Sequence, residues 1–233
     1  MARVVRLTEQ QLTGLVQNIL NMALNPNKSS STTDSESSDT SVDSSDEDLS
    51  SDDGKSKETL IGKISAKGQE LLNNRIFKKK LKEISQAINI PESSIIKLMK
   101  HESGLDPTIK NSIGCVGLIQ FCPGGGMPKT INGKSYTLDE IRYDLEAQMD
   151  AIKEFWTKGY NNGKIKRPAD LYLYNFFPIA AGKPDDFVLQ AKGLSATAVA
   201  KANPGFNKKL GKPVSSPLTV GDMKKYYRQT GMA

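Results

Sequence analysis

Glu102 is the residue on which chemistry is most readily built. It closes the run Ile95-Ile-Lys-Leu-Met-Lys-His-Glu-Ser-Gly104, in which Ile95, Leu98, Met99 and Glu102 fall at i, i+3, i+4 and i+7 and so share one helix face. A carboxyl among apolar side chains has its charged form disfavoured, which raises its pKa and lets it hold a proton near neutrality, as a general acid requires. The plainer alternative is a buried, paired structural carboxylate. Close behind comes Gly114-Cys-Val-Gly-Leu-Ile-Gln-Phe121. Gly114 and Gly117 would let backbone approach a ligand closely, and Gln120 brings an amide; the alternative is an ordinary loop with a buried glutamine. Ser103 either orients Glu102 or caps a turn. His101 is next to Glu102 in sequence but about 100° round the helix, a bystander's place. Chemistry by paired carboxylates would need a second acid, as nucleophile or to activate water. Spacing supplies none: Asp106 lies past the helix-ending Gly104, and Asp139 and Asp144 belong to a later helix.

The elements that must hold these groups read as mainly α, in an α+β arrangement with little strand. Leu71, Leu72, Ile76, Leu81, Ile84 and Ile88 mark one or two amphipathic helices, and Pro91 suits the first turn of the helix carrying Glu102. Asn132-Gly133, flanked by Thr-Ile and Lys-Ser-Tyr-Thr, predicts a small two-residue β-hairpin. Thr137 and Glu140 form a capping box ahead of a helix marked by Ile141, Leu145, Gln148/Met149, Ile152 and Phe155/Trp156, with Trp156 expected in the core. A last helix is predicted from Val220 to about Gln229, with Thr219 at its N-cap.

Three segments follow from composition. Residues 1–25 contain a capping box at Thr8 and Gln11 and an apolar stripe through Leu12, Leu15, Val16, Ile19, Leu20 and Ala23. That is an amphipathic helix that either folds back on the domain or docks in a partner's groove. Residues 26–58 form a Ser/Asp/Glu-rich linker that cannot bury enough apolar surface to offset chain entropy and is expected to be disordered. Residues 59–233 form the globular domain. Ser29 to Asp53 holds nine acids and no base, so 26 acids less nine leaves 17 against 32 bases elsewhere, a net of +15. A basic surface tied to an acidic tether suits an anionic polymer, nucleic acid or bacterial wall. The sequence contains no zinc-finger, RRM or basic-zipper signature, so no specific nucleic-acid partner is expected. No run approaches the roughly 18 apolar residues of a membrane span, and no secretory signal opens the chain, so it is expected to be made soluble in the cytoplasm. Cys115 and Cys122 lack the partners for a zinc site and read as free thiols, with a late disulfide around the loop as the alternative.

Glu102-Ser103-Gly104, followed by Gly114-Cys-Val-Gly-Leu-Ile-Gln120, resembles the Glu-Ser and Gly-Leu-Met-Gln signatures of lytic transglycosylases of the lysozyme-like, goose-type superfamily. Asp170-Leu-Tyr-Leu-Tyr-Asn-Phe-Phe-Pro-Ile-Ala-Ala-Gly-Lys-Pro-Asp-Asp186 resembles a stretch of phage-encoded, virion-associated members. The resemblance covers roughly residues 85–230. It implies a lysozyme-like catalytic domain, peptidoglycan as substrate, no cofactor or metal, and Glu102 as sole acid and base, giving 1,6-anhydro-muramic ends. It implies substrate contacts from Ser103, Gly114, Gly117 and Gln120, and from Tyr172, Tyr174 and Asn175, of which Tyr172 and Tyr174 cannot both face one cleft from a helix. It also implies a place in the virion, with residues 7–24 docking on phage structural proteins. A lysozyme-type hydrolase and a catalytically inactive virion or wall-binding protein are the alternatives.

Overall fold

The computed structural model describes residues 66–232. The amphipathic stripe at 7–24 and the linker at 26–58 lie outside them. The described part is mainly helical, in the order α1 (Ala66–Asn73), α2 (Arg75–Ile88), α3 (Glu92–Ser103), α4 (Leu138–Ile141), α5 (Leu145–Asn161), α6 (Pro168–Phe176), α7 (Ala196–Ala202), α8 (Pro204–Leu210) and α9 (Val220–Gln229). None of these helices is long and apolar enough to cross a membrane.

The pair α2 and α5 forms the main wall of the domain. Asn74 separates α1 from α2 and caps the latter, its side-chain oxygen accepting from the backbone N–H of Ile76 at 2.9 Å and Phe77 at 3.1 Å. Phe77, Leu81, Ile84 and Ile88 then turn one stripe inward, opposite Met149, Ile152 and Trp156 of α5, all fully buried. Lys80 crosses the same interface to Asp150 at 2.7 Å and Glu146 at 3.2 Å. Burial opposes its charge, but the two carboxylates outweigh it and hold the ammonium above its ordinary value. Trp156 is thus a core residue, as its place in the periodic pattern predicts.

Helix α6 runs through the centre, with every residue from Asp170 to Phe176 buried, and α9 packs across it. The terminal helix has the predicted bounds and cap. Thr219 Oγ1 accepts from the Asp222 N–H at 3.1 Å, and the Asp222 carboxylate accepts from the Thr219 N–H at 3.0 Å and from Lys212 Nζ at 2.6 Å. Burial alone would push the Asp222 carboxyl up; the Lys212 ammonium and the Thr219 donors hold it below the usual carboxylate range. A depressed folded-state pKa contributes stability above the unfolded value, and that stability is lost as pH falls through the folded one. Asp222→Asn should therefore cost about 1–2 kcal/mol near pH 7, a deficit that shrinks below about pH 4. Urea melts of both proteins at the two pH values measure it.

Local chemistry overrode the periodic reading at two places. The Thr137–Glu140 capping box forms, but its helix α4 ends after one turn. Asp144 adopts an extended backbone and accepts from the Ala147 N–H at 3.0 Å, so it starts α5 anew. Asn132 and Gly133 take left-handed φ values of 50° and 79°, and Ile131 and Lys134 exchange both backbone hydrogen bonds, at 2.8 and 3.0 Å. That is the predicted two-residue turn, yet pairing stops at this single bridge and no strands extend from it. A two-stranded ribbon with no third strand or apolar face to rest on gains too little to propagate.

Candidate active site

Ile95, Leu98 and Met99 are buried, and Glu102 continues their stripe to the end of α3, where it is half-buried. Gly104 stops the helix with φ 65° and donates its N–H to the Lys100 carbonyl at 2.9 Å. Leu105 follows in the same left-handed region at φ 65° while wholly buried. Such a conformation costs a non-glycine residue about 1–2 kcal/mol, offset here by burial of its side chain. After this double turn the Ile109 carbonyl accepts from the Gly117 N–H at 3.0 Å, which ties the segment to the glycine loop.

That loop is a tight reversal. Val116 and Phe121 exchange backbone hydrogen bonds at 2.8 Å each, and the flanking Cys115 and Cys122 are joined as a disulfide. This corrects the free-thiol expectation. The bridge between Val116 and Phe121 brings the residues outside it face to face, which spacing along the chain does not reveal. Within the loop Gln120 takes φ 60° and its side-chain amide donates to the Gly117 carbonyl at 3.0 Å. From α5, the fully buried Gln148 grips three separate segments: it accepts from the Leu118 N–H at 2.8 Å and donates to the carbonyls of Pro107 at 3.0 Å and Ile141 at 3.1 Å.

The glycines serve this packing. Gly117 has φ 77°, and a Cβ there would meet the Gln148 amide at 2.7 Å; at Gly114, φ 85°, it would meet Pro123 at 3.2 Å. Gly117→Ala should cost about 2–4 kcal/mol, combining the left-handed penalty with displacement of Gln148. Gly104→Ala meets nothing within 4 Å and should cost only the conformational part, about 1 kcal/mol. Paired denaturant melts of the two variants separate the contributions.

The remaining predicted residues divide between two sides of α6. Asn175 and Gln120 line one small depression, together with Phe121, Phe155 and Pro178. Asn175 is 7% exposed, and neither its amide oxygen nor its amide nitrogen has a hydrogen-bond partner among the described residues. Such orphaned buried groups are costly; both atoms are closed off from the surface, and the depression, about 20 Å³, has room for roughly one water. Tyr174 packs against Phe155 at 5.0 Å and lies over Gly159; burial pushes its phenol up. Tyr172 is turned to α9, stacked on Tyr226 at 6.1 Å, and meets the His101 ring edge-on at 5.7 Å. Ser103 is buried with its hydroxyl donated to the Met99 carbonyl at 2.8 Å, so it ties down the last turn of α3.

The acidic residues considered as second catalytic groups are held elsewhere. Asp106 accepts from the Thr108 N–H and hydroxyl at 2.9 and 2.7 Å and pairs with Lys67 at 3.1 Å. Asp139 pairs with Lys110 at 3.0 Å, and Asp144 is the cap of α5. Among the described residues no three histidine, cysteine or acidic side chains gather as a metal site. An open groove of about 720 Å³ runs along the outer face of α5 past Asn132, Asp150 and Lys158, and none of the motif residues lines it.

Gln148 is the positioning residue that motif reading passed over. Its signal was a polar amide on the apolar stripe between Leu145 and Met149. Comparison of the chain with protein-family models, with curated proteins and with solved structures finds no match.

Proposed function

We propose that the protein cleaves the glycan strands of bacterial peptidoglycan as a lytic transglycosylase, carried in a phage particle and acting on the wall during entry. The observation that carries this reading is a half-buried Glu102 at the end of an apolar helix face, in a fold that also supplies the orphaned Asn175 amide beside Gln120. The engagement of Asp106, Asp139 and Asp144 in structural contacts favours chemistry with a single acid.

In this mechanism Glu102 donates its proton to the oxygen between N-acetylmuramic acid and N-acetylglucosamine as the C1–O bond breaks. The resulting carboxylate then takes the proton of the muramic 6-hydroxyl, whose oxygen bonds to C1 and closes the 1,6-anhydro ring. The proton lost to the leaving sugar is thereby recovered and no water is consumed. By the resemblance, Gln120 and Asn175 would be the residues that hydrogen-bond the sugar. The net charge of +15 outside the acidic stretch would draw the domain to an anionic wall, and residues 7–24 would dock on phage structural proteins.

Mass spectrometry of purified peptidoglycan digested by the full chain tests the reading. Anhydro-muramic ends support it. Reducing ends would make the protein a lysozyme-type hydrolase instead, and an undigested wall would make it a binding or structural component.

A further inference from the structure

The outward face of α2 carries Arg75, Lys78, Lys79 and Lys82, all exposed. Their spacing of i, i+3, i+4 and i+7 places them on one stripe about 10 Å long, on the side of the helix away from buried Phe77, Leu81, Ile84 and Ile88. Like charges so arranged repel, and α2 offers nothing to offset them: its one acid, Glu83, is committed to Lys153 of α5 at 3.1 Å. Among the described residues no carboxylate pairs with any of the four, whereas the inward-facing Lys80 of the same helix has two.

The strongest polyanion in sight belongs to the same chain. Ser29 to Asp53 has nine acids and no base, and the 13 residue-to-residue steps from Asp53 to Ala66 can span about 40 Å when extended. The acidic stretch therefore reaches α2 from its own tether, at a local concentration on the order of millimolar. We propose that residues 29–53 dock electrostatically on the α2 stripe and compete there with external polyanions. Each exposed contact is weak, about 0.2–1 kcal/mol, so the association is multivalent and salt-sensitive. Release by a denser polyanion would bare the stripe where the protein meets its target. The proposal stands independently of any chemistry at Glu102.

Zero-length carbodiimide cross-linking of the full chain, followed by peptide mass spectrometry, reads the docking directly. Links from residues 29–53 should concentrate on Lys78, Lys79 and Lys82 and disappear at about 0.5 M salt, where screening is nearly complete. Links spread evenly over lysines such as Lys192, Lys208 and Lys225 would overturn the proposal, as would links formed only between molecules in a mixture of isotopically light and heavy chains. A second measurement uses soluble heparin as the probe polyanion. Converting the nine acids to their amides should tighten heparin binding about tenfold at low salt, and reversing Lys78, Lys79 and Lys82 to glutamate should erase that gain. Equal affinity of the parent and the amide variant would also overturn it.

Discussion

Glycan-strand cleavage should fall by about 10²–10⁴-fold on Glu102→Gln, with the melting temperature held within about 2 °C of the parent. The amide keeps the volume and polarity of a side chain that is half-buried at the end of α3, so the fold has little reason to change. What it removes is the proton: glutamine neither donates one to the glycosidic oxygen nor takes one from the 6-hydroxyl. On the proposed mechanism one group performs both steps and no second acid compensates, since Asp106 is tied to Thr108 and Lys67 and Asp144 to the start of α5. Turbidity clearing of purified wall, run beside a thermal melt, measures both halves. Parent-like clearing by a folded variant would remove Glu102 from the chemistry.

The largest loss of stability is expected at Gln148. Gln148→Leu puts an apolar side chain of similar size in a fully buried position but strands the Leu118 N–H and the Pro107 carbonyl and leaves the Ile141 carbonyl only the longer bond from the Asp144 N–H at 3.3 Å. Buried backbone groups left unpaired cost about 1–3 kcal/mol each; with partial relaxation the total should reach about 3–5 kcal/mol. For a domain of this size that corresponds to a fall in melting temperature of about 10 °C. The glycine loop should loosen first, because Gln148 is its link to α5. Faster amide exchange at Leu118 than across α2 would identify that path; uniform exchange would show instead that the loop holds itself.

Where the chain makes its structure from neighbours in sequence, the reading was close. The inward stripe of α2, the Thr137–Glu140 box, the Asn132-Gly133 turn and Thr219 ahead of α9 all depend on hydrogen bonds or periodicities spanning three or four residues, and those are written in the order of side chains. The same logic predicted one helix where there are two, because the apolar period through Ile141 and Leu145 outweighed an Asp144 whose capping role depends on its backbone leaving the helix.

At the candidate site, legibility ended where contacts become long-range. Glu102, the glycines and Gln120 could be chosen from their motifs, and the Ile95–Leu98–Met99 face beneath Glu102 from its period. Residue order did not reveal that Cys115 and Cys122 close the loop, that Gln148 reaches into it from α5, or that Ser103 spends its hydroxyl on Met99. Nor did it choose among Tyr172, Tyr174 and Asn175. A helix period says only that these residues point different ways; which direction meets the glycine loop depends on how α6 is rotated between α5 and α9. That rotation is decided by the packing of Tyr174 on Phe155 and of Tyr172 on Tyr226, contacts between segments far apart in the chain, and it leaves Asn175 beside Gln120.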